Sequence, residues 1–426
     1  MSGGLKSVWL LQIIVLWSVA GFPLLAALTT ALGGNNTGLS VAGRGAVAVA
    51  ALLLLSRVRI RPTPAILLFA AFWLAYGMRL AIGLHIQQEP LSRAPGIYWI
   101  WAIGACLLPA LAMLSGFNAN AVRRLLRPLL ILSLITIALF LAVGGTGYIR
   151  SDGTVSDINR WNVGSLNPIS MGHLGATACL LGLAVLTGAG QGRDRRILAL
   201  LAIGGGGLIA LLANSRGPML ALAAGFLLLA LARSGHRRGL GILLAAIAAV
   251  AALVLSGHDL VYGEGGILAR FTAMTGGQDL SAQGRFTAFG GALAQFLGAP
   301  LFGDGIEERI TGYYPHNVTL EAFMATGLTG GLPFLALTLA ALRAAWQLAR
   351  DGSPVAWVGL LAVQYIVAGQ FSGAIYQSPA MWVMMALTLS ARRYHVRCAR
   401  LAIRPAHGPR PATPVPWPAH ARGSHA

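Results

Sequence analysis

The sequence is poor in charged residues, and above all in acidic ones. Only 10% of the 426 residues are Asp, Glu, Lys or Arg, and 12 acidic residues stand against 31 basic ones. Ordinary soluble domains carry about 25% charged residues. With 56% hydrophobic residues and a mean hydropathy of +0.70, the chain is predicted to be an all-α polytopic membrane protein.

Cysteine and recognisable metal or nucleotide motifs are also scarce. The three cysteines are Cys106, Cys179 and Cys398. They fall in apolar stretches or in the C-terminal tail, so no disulfide framework is predicted. His and acidic residues show no spacing typical of a metal site. There is no glycine-rich nucleotide loop and no nucleophile elbow, so we predict no metal and no cofactor. The alternative is a metal cluster assembled only in the fold, for example around Asp304 and Glu307.

Apolar stretches long enough to cross a bilayer, which takes about 20 residues, recur along the chain. The predicted spans are 8–31, 41–56, 64–84, 97–115, 127–147, 169–189, 196–213, 217–233, 239–256, 327–348, 355–372 and 378–393. This gives about 12 transmembrane helices, nine in residues 1–256 and three in 317–393. A polar loop, 257–316, lies between the two groups. A basic, Pro-rich tail, 394–426, is predicted to be disordered.

Lys and Arg residues concentrate in alternate connections between the spans. When the N-terminus is assigned to the cytoplasm, most of them fall on the cytoplasmic side, as the positive-inside rule requires. This orientation places loop 257–316, the turn 214–218 and loop 148–168 outside the cytoplasm. The formal net charge of +19 is therefore a topology signal, and no basic soluble module for nucleic acid is visible.

The outer loop contains an amphipathic pattern. Phe286, Phe289, Leu293, Phe296 and Leu297 follow helical spacing, which predicts a helix lying on or against the membrane surface. Arg285 stands at the N-terminal end of this pattern. On spacing alone, a lid helix with a solvated arginine is an equally good interpretation.

The loop closes on Tyr313-Tyr314-Pro315-His316-Asn317. Asn317 is a favoured N-cap for a helix over 318–326, which Gly327 is predicted to end. The positive end of that helix dipole disfavours protonation of His316. A neutral imidazole can act as a general base. The alternative is a histidine that only caps a helix at the membrane interface.

Arg216 precedes Gly217-Pro218 at the start of a span, where proline favours the first helical turn. An arginine beside a helix N-terminus is suited to bind phosphate. The alternative is an arginine that snorkels to the interface. Arg150 and Arg160 add basic character from loop 148–168, without a readable individual role.

These motifs resemble a known family. His316-Asn317, nine residues, Gly327, two residues and Gly330 are similar to the H-N-x9-G-x-x-G signature of bacterial O-antigen ligases. Arg216-Gly217-Pro218-Met219-Leu220 resembles their R-x3-L element. The superfamily also contains O-antigen polymerases and protein O-oligosaccharyltransferases, which share the same hydropathy pattern.

The resemblance implies a metal-independent C-type glycosyltransferase of the bacterial inner membrane with a periplasmic active site. Its implied donor is a glycan on undecaprenyl pyrophosphate, and its implied acceptor is a sugar hydroxyl of lipid A-core. His316 would be the base, and Arg216 and Arg285 would hold the pyrophosphate. Asn317, Arg150, Arg160 and Tyr313 are expected near substrate. Transport of an anionic lipid is a weaker alternative, because the predicted spans hold almost no acidic residues.

Overall fold

A computed structural model describes residues 2–34, 37–144, 146–149, 155–162, 166–188, 193–232 and 280–403. The helices of the first part are α1 (Ser2–Leu16), α2 (Phe22–Ala31), α3 (Thr37–Leu55), α4 (Pro64–Ala81), α5 (Pro95–Trp99), α6 (Leu108–Ser115) and α7 (Ala119–Val143). Turns of π-helix, Trp17–Gly21, Ile82–Ile86 and Ile100–Leu107, extend or join them.

Two strands and seven further helices follow. They are β1 (Thr146–Ile149), β2 (Val155–Asn162), α8 (Pro168–Thr187), α9 (Arg193–Leu212), α10 (Arg216–Ala232), α11 (Leu280–Gly298), α12 (Val318–Arg350), α13 (Ala356–Ser372) and α14 (Pro379–Ile403). A 3-10 turn, Ile375–Gln377, lies between α13 and α14.

Eight helices in the described part of the chain are long and apolar enough to cross a membrane. They are Ser7–Ala31, Gly38–Leu55, Pro64–Ile86, Pro95–Ser115, Ala119–Val143, Pro168–Thr187, Asp194–Leu212 and Val318–Arg350. Two shorter apolar helices are Arg216–Ala232 and Ala356–Ser372. The protein is thus a multi-pass helical membrane protein, and the number of twelve spans stays a prediction.

Some predicted boundaries differ from the structure. The segment Val318–Arg350 consists of two helices that meet at the non-helical Gly327, where the helix over 318–326 was predicted to end and a span to begin; the two are described together as α12. The last helix continues to Ile403, past residue 394, where the tail was predicted to begin. The predicted span 239–256, loop residues 257–279 and tail residues 404–426 lie outside the described residues.

The fold is not purely helical, because β1 and β2 form an antiparallel ribbon. Thr146 pairs with Asn162 and Gly147 with Trp161, and the register shifts beyond Gly147. The prediction of an all-α chain missed this ribbon because its strands are short and lie in a polar loop between two apolar spans. Trp161 packs against the hydrophobic core and attaches the ribbon to the bundle.

Small residues let α8, α9 and α10 pack closely. A Cβ on Gly175 would lie 2.8 Å from the Ala210 backbone nitrogen, and a Cβ on Gly172 would lie 2.7 Å from Pro218 Cγ. Such close backbone approach is typical of helix pairs in membranes, where small residues line the interface. This packing fixes the start of α10, and with it the position of Arg216.

An aromatic cluster holds α4, α12 and α14 together. Phe72 stacks on Tyr76 and on Trp382, with ring centroids 5.7 and 5.4 Å apart, and contacts Phe334 at 5.1 Å. All four side chains are almost fully buried. Offset and edge-on aromatic pairs add about 0.5–1.5 kcal/mol each beyond their buried area. The candidate site lies at the C-terminal end of α4.

Candidate functional site

Arg79, near the C-terminal end of α4, holds the segment before His316 against the bundle. Its guanidinium donates to four backbone carbonyls and one side-chain amide. These acceptors are Ala325 O, Phe302 O, Gly303 O, Asp304 O and Gln87 Oε1, at 2.7 to 3.3 Å. Because all its donor directions are used, Arg79 serves the architecture of the site.

Gly327 and Gly303 bring two stretches of backbone into contact. Gly327 has φ 59° and ψ −153° inside α12, a conformation that favours glycine. A Cβ there would lie 2.6 Å from Phe302 N, and a Cβ on Gly303 would lie 2.5 Å from Thr326 N. Leu328 N donates to Pro300 O at 2.8 Å across the kink. The kinked helix therefore pairs with the segment before His316.

Gly330, the second motif glycine, packs against α4. A Cβ there would lie 2.6 Å from Thr326 Cβ and 3.0 Å from Ala75 Cβ. Gly330 is buried, and the aromatic cluster lies on the same pair of helices. Both motif glycines thus act through backbone packing.

The acidic residues of this segment are occupied by protein donors. Glu307 accepts from Ser92 Oγ at 2.6 Å and from Tyr98 OH at 2.5 Å. Asp304 pairs with Arg309 at 2.7 Å. Over the described ranges, no group of three or more His, Cys, Asp or Glu residues is arranged to hold a metal ion.

His316 lies at the end of this segment in a left-handed backbone conformation, with φ 57°. Few non-glycine residues adopt this conformation, and such strain concentrates at functional sites. The imidazole contacts the Tyr314 ring at 4.5 Å and the Tyr313 ring at 5.7 Å between centroids. Its Nδ1 is buried and has no hydrogen-bond partner. The ring therefore presents an unused nitrogen beside two tyrosines.

Burial and the positive charge of Arg285 together lower the pKa of His316 to about 4, and burial is the larger cause. Both disfavour the imidazolium form. Burial and the neighbouring cation therefore both favour the neutral imidazole. Arg285, on α11, lies within electrostatic reach of His316.

Asn317 caps α12. Its Oδ1 accepts from Thr319 N at 3.0 Å and from Leu320 N at 2.9 Å. Its Nδ2 donates to Gln370 O at 3.2 Å, which ties the helix start to the end of α13. These bonds occupy the amide, so Asn317 positions His316 through the backbone.

Arg216 begins α10, and α13 connects it to the same region. A Cβ on Gly217 would lie 3.7 Å from Phe371 Cβ, and Phe371 adjoins Gln370, the acceptor of the Asn317 amide. Arg216 is half-buried. The two motifs that lie about a hundred residues apart in sequence thus meet at the C-terminal end of α13.

A family model described as O-antigen ligase matches residues 197–335. The match includes Arg216, Arg285 and His316 together with both motif glycines. This match covers about a third of the chain and supports membership in the O-antigen ligase/polymerase superfamily. No curated protein matches the chain.

The matched family model supports a glycosyltransferase-like enzyme of the ligase or polymerase type in O-antigen processing. Proteins of that family are expected to act on membrane-embedded, lipid-linked glycans.

Two further sequence-predicted residues lie outside the matched segment. Arg160 is on β2, which precedes α8 and contacts α8 and α9. This places the strand at the end of the bundle where α10 begins. Arg150 lies outside the described residues. Their contact with substrate stays a prediction.

Sequence reasoning missed Arg93, which stands between α4 and α5. Its Nη2 donates to Tyr313 OH at 3.3 Å, and this hydrogen bond is the main cause of a raised pKa of the Arg93 guanidinium. Tyr313 in turn contacts His316. Arg93 is exposed, so it adds a second accessible cation near the histidine. The position of Arg93 near the histidine is visible only from its contact with Tyr313, which lies far away in the sequence.

The amphipathic helix predicted around Phe286–Leu297 is present as α11. The predicted apolar stripe is largely outward-facing, with Phe286 62%, Leu293 47% and Leu297 66% exposed. The opposite face, with Ala288 and Ala292, is buried against the protein. The small residues set how closely α11 approaches the site, and the large ones remain on the surface.

Proposed function

We propose that the protein is an O-antigen ligase that transfers a glycan from undecaprenyl pyrophosphate to a sugar hydroxyl of lipid A-core, with inversion at the anomeric carbon. The observation that carries this proposal is a half-buried His316, whose lowered pKa keeps it neutral, within electrostatic reach of Arg285 inside the segment that matches the O-antigen ligase model. The site would face the periplasm, in the orientation that the basic connections indicate.

The acceptor hydroxyl requires a base, because an unactivated sugar hydroxyl is a poor nucleophile. In the proposed step, a ring nitrogen of His316 takes the hydroxyl proton while the hydroxyl oxygen attacks the anomeric carbon. The bond from that carbon to the pyrophosphate oxygen breaks, and undecaprenyl pyrophosphate leaves with the electron pair. A positioned base of this kind contributes roughly 10²–10⁴-fold in rate.

The departing pyrophosphate requires positive charge. Arg285 stands beside His316, and Arg216 joins the same region through the end of α13. Guanidinium groups bind phosphate oxygens bidentately. Removal of one preorganised charge donor typically costs about 10²–10³-fold in rate. Because two arginines supply the charge, the proposed step uses no metal ion.

Donor binding would also strengthen the base. In the free enzyme, the charge of Arg285 helps to keep the pKa of His316 at about 4. A pyrophosphate bound to Arg285 would offset that charge and bring negative charge near the imidazole, which raises its pKa. His316 would thus become a better proton acceptor when the donor is in place. Without bound donor, His316 would therefore remain a weak base.

We assign the acceptor side to Tyr313 and Arg93, the exposed pair joined by a hydrogen bond beside His316. Asn317 positions the histidine, and Gly327 and Gly330 shape the helix that follows it. Arg150 and Arg160 are proposed to contact the donor or the acceptor from the loop before α8.

A reconstituted assay tests the proposal directly. Purified protein, a polyprenyl-pyrophosphate glycan and lipid A-core are incubated with EDTA, and the glycolipid products are separated by gel electrophoresis. We expect glycan-capped lipid A-core. Elongated glycan on the polyprenyl carrier, with uncapped core, would identify a polymerase instead.

Cells lacking the protein provide an independent test. Loss of a ligase leaves long chains on the polyprenyl carrier, whereas loss of a polymerase leaves single repeat units. Unmodified pilin-like proteins with normal lipopolysaccharide would point to a protein O-oligosaccharyltransferase.

A further inference from the structure

An open cavity of about 340 Å³ lies at the other end of α4 from His316. It is lined by Val58, Arg59, Arg61, Ile66, Ser115, Arg393 and Arg397. The α4 helix starts at Pro64, beside this cavity, and reaches Arg79 beside the candidate site. Fifteen residues of helix at about 1.5 Å per residue separate the two by roughly 20 Å or more.

The lining carries four arginines from two distant parts of the sequence. Arg59 and Arg61 come from the connection between α3 and α4, and Arg393 and Arg397 come from α14, one helical turn apart. The lining residues include no carboxylate. Like charges gathered in this way repel one another unless an anion lies among them.

Nearby acidic groups do not neutralise these arginines. Asp351 is bound by Arg350, Arg392 and His395 at 2.7 to 3.6 Å. Within the described ranges, none of the four cavity arginines takes part in an ion pair. Their guanidinium donors therefore remain available to a ligand.

Ser115 adds an independent observation. It ends α6, and its hydroxyl is buried yet has no hydrogen-bond partner. A buried hydroxyl without a partner is unfavourable. Because Ser115 lines the cavity, an anionic oxygen placed among the arginines would accept this hydrogen bond and remove the penalty.

Several apolar residues close in sequence to the lining residues are exposed. Leu52, Leu53, Ile60 and Leu67 are 44–60% exposed, on the last turns of α3, the connection that follows and the first turn of α4. Hydrophobic side chains beside an arginine cluster at the end of membrane-spanning helices suit a ligand with an anionic head and apolar chains.

We propose that this cavity binds the phosphate headgroup of an anionic phospholipid in the leaflet opposite to the candidate active site. The four guanidinium groups and the Ser115 hydroxyl bind the phosphate oxygens, and the acyl chains lie along the exposed leucines and Ile60. In the orientation indicated by the basic connections, this is the cytoplasmic leaflet. The site is separate from glycan transfer.

Binding of phosphatidylglycerol to the full-length protein in neutral detergent tests the proposal. The retained lipid is measured by native mass spectrometry, with phosphatidylcholine as the uncharged comparison. The double variant Arg393→Gln/Arg397→Gln should weaken phosphatidylglycerol binding at least about tenfold, since each basic residue near a membrane contributes about 1 kcal/mol. Binding of phosphatidylcholine should not change.

The matched control is Arg123→Gln/Arg124→Gln. These two arginines are exposed at the start of α7, at the same end of the bundle, and do not line the cavity. The control should retain phosphatidylglycerol binding within about twofold. If both double variants lose phosphatidylglycerol binding equally, the cavity arginines act only as topology signals, like Arg123 and Arg124, and the proposal fails.

Two further measurements keep the test decisive. Ser115→Val removes the hydroxyl without changing the charge, and should weaken phosphatidylglycerol binding roughly threefold or more. Soluble glycerol phosphate should not displace the lipid at equal concentration. If it does, the ligand is a soluble phosphate and the lipid assignment is wrong. Because no glycan is present in these assays, their outcome is independent of the proposed ligase function.

Discussion

At the scale of single residues, His316 combines a left-handed backbone, a buried ring nitrogen without a partner and a cationic neighbour. The first two features are unfavourable for folding, and the third disfavours the protonated imidazole. A residue that only caps a helix needs none of them, and Asn317 already provides the cap. The combination favours a chemical role for the imidazole over a structural one.

We therefore expect His316→Asn to insert and fold yet lose transfer by roughly 10²–10⁴-fold. Asparagine tolerates the left-handed backbone and lacks a basic nitrogen. Initial rates of glycan transfer to lipid A-core measure the effect. The control is His85→Asn on the same face, where His85 only accepts from Trp99. Normal transfer by the His316 variant would falsify the base assignment.

The pKa of His316 should respond to the charge at position 285. Arg285→Gln removes a positive charge that lowers this pKa, so the pKa should rise above about 4. It should stay below 6.5, because burial is the larger cause and remains. Arg285→Lys keeps the charge and should leave the pKa low.

These shifts can be measured by NMR titration of ¹⁵N-labelled histidine, with the pH profile of kcat/KM as a second readout. Both variants should transfer slowly, because a lysine cannot replace the planar guanidinium fork. Equal pKa values in wild type and Arg285→Gln would show that the two groups do not interact.

Tyr313→Phe and Arg93→Gln test the acceptor side. Each breaks the hydrogen bond between Arg93 and Tyr313, which is worth about 0.5–1.5 kcal/mol. We expect KM for lipid A-core to rise roughly threefold to tenfold while KM for the donor stays constant. Steady-state kinetics with each substrate varied in turn decide this. A rise confined to the donor KM would show that Tyr313 and Arg93 act in donor binding instead.

At the scale of helices and connections, the central feature is the pairing between the segment before His316 and the kink in α12. Gly303 and Gly327 permit the approach, and Arg79 binds the carbonyls of both partners. One carbonyl of α12, Ala325 O, is thus satisfied by a guanidinium. This is how a helix kink is tolerated where backbone groups have no water to bind.

Gly327→Ala should consequently destabilise the protein severely. The added methyl group would meet the backbone of Leu301 and Phe302, and alanine disfavours φ 59°. Overpacking alone typically costs about 1–3 kcal/mol. Size-exclusion chromatography after heating should show a much lower Tm. Gly207→Ala, on α9 with open space around it, should be neutral or slightly stabilising.

The kink also shows which features of the fold could be predicted from the sequence and which could not. Glycine after a helical pattern usually ends a helix, so residues 318–326 and the following span were predicted as separate elements. The structure also breaks the helix at Gly327, which has φ 59° and ψ −153°. What the sequence could not predict is that backbone groups of residues 300–304 hydrogen-bond across the break. Such long-range backbone bonds leave no local pattern. The spans themselves could be predicted, since about 20 apolar residues suffice to identify one.

At the scale of the whole molecule, the two ends of the bundle differ in character. One end collects His316, Arg285, Arg93 and two tyrosines, and the other carries the arginine-lined cavity. The side of the membrane that each end faces was predicted from the charge pattern alone. The composition of the site could be predicted in part, whereas Arg79 and Arg93 could not, because their partners lie more than 200 residues away.

Labelling of cysteine in intact cells tests the orientation. Cys398 is exposed near the cavity end, whereas Cys106 and Cys179 are buried. Ile310, on the segment before His316, is 70% exposed. In a Cys398→Ser background, Ile310→Cys should react with a maleimide that cannot cross the inner membrane. Wild-type Cys398 should react only after permeabilisation, and the reverse pattern would invert the topology.

The five hydrogen bonds of Arg79 have a mechanical consequence. If residues 302–304 moved away from the bundle, the Arg79 guanidinium would lose its acceptors at the boundary of the hydrocarbon, so we expect this wall of the candidate site to stay in place. The two amphiphilic substrates of the proposed reaction must nevertheless enter and leave. We expect their gateway to open by displacement of the helix bearing Arg285, while the imidazole keeps a fixed location throughout turnover.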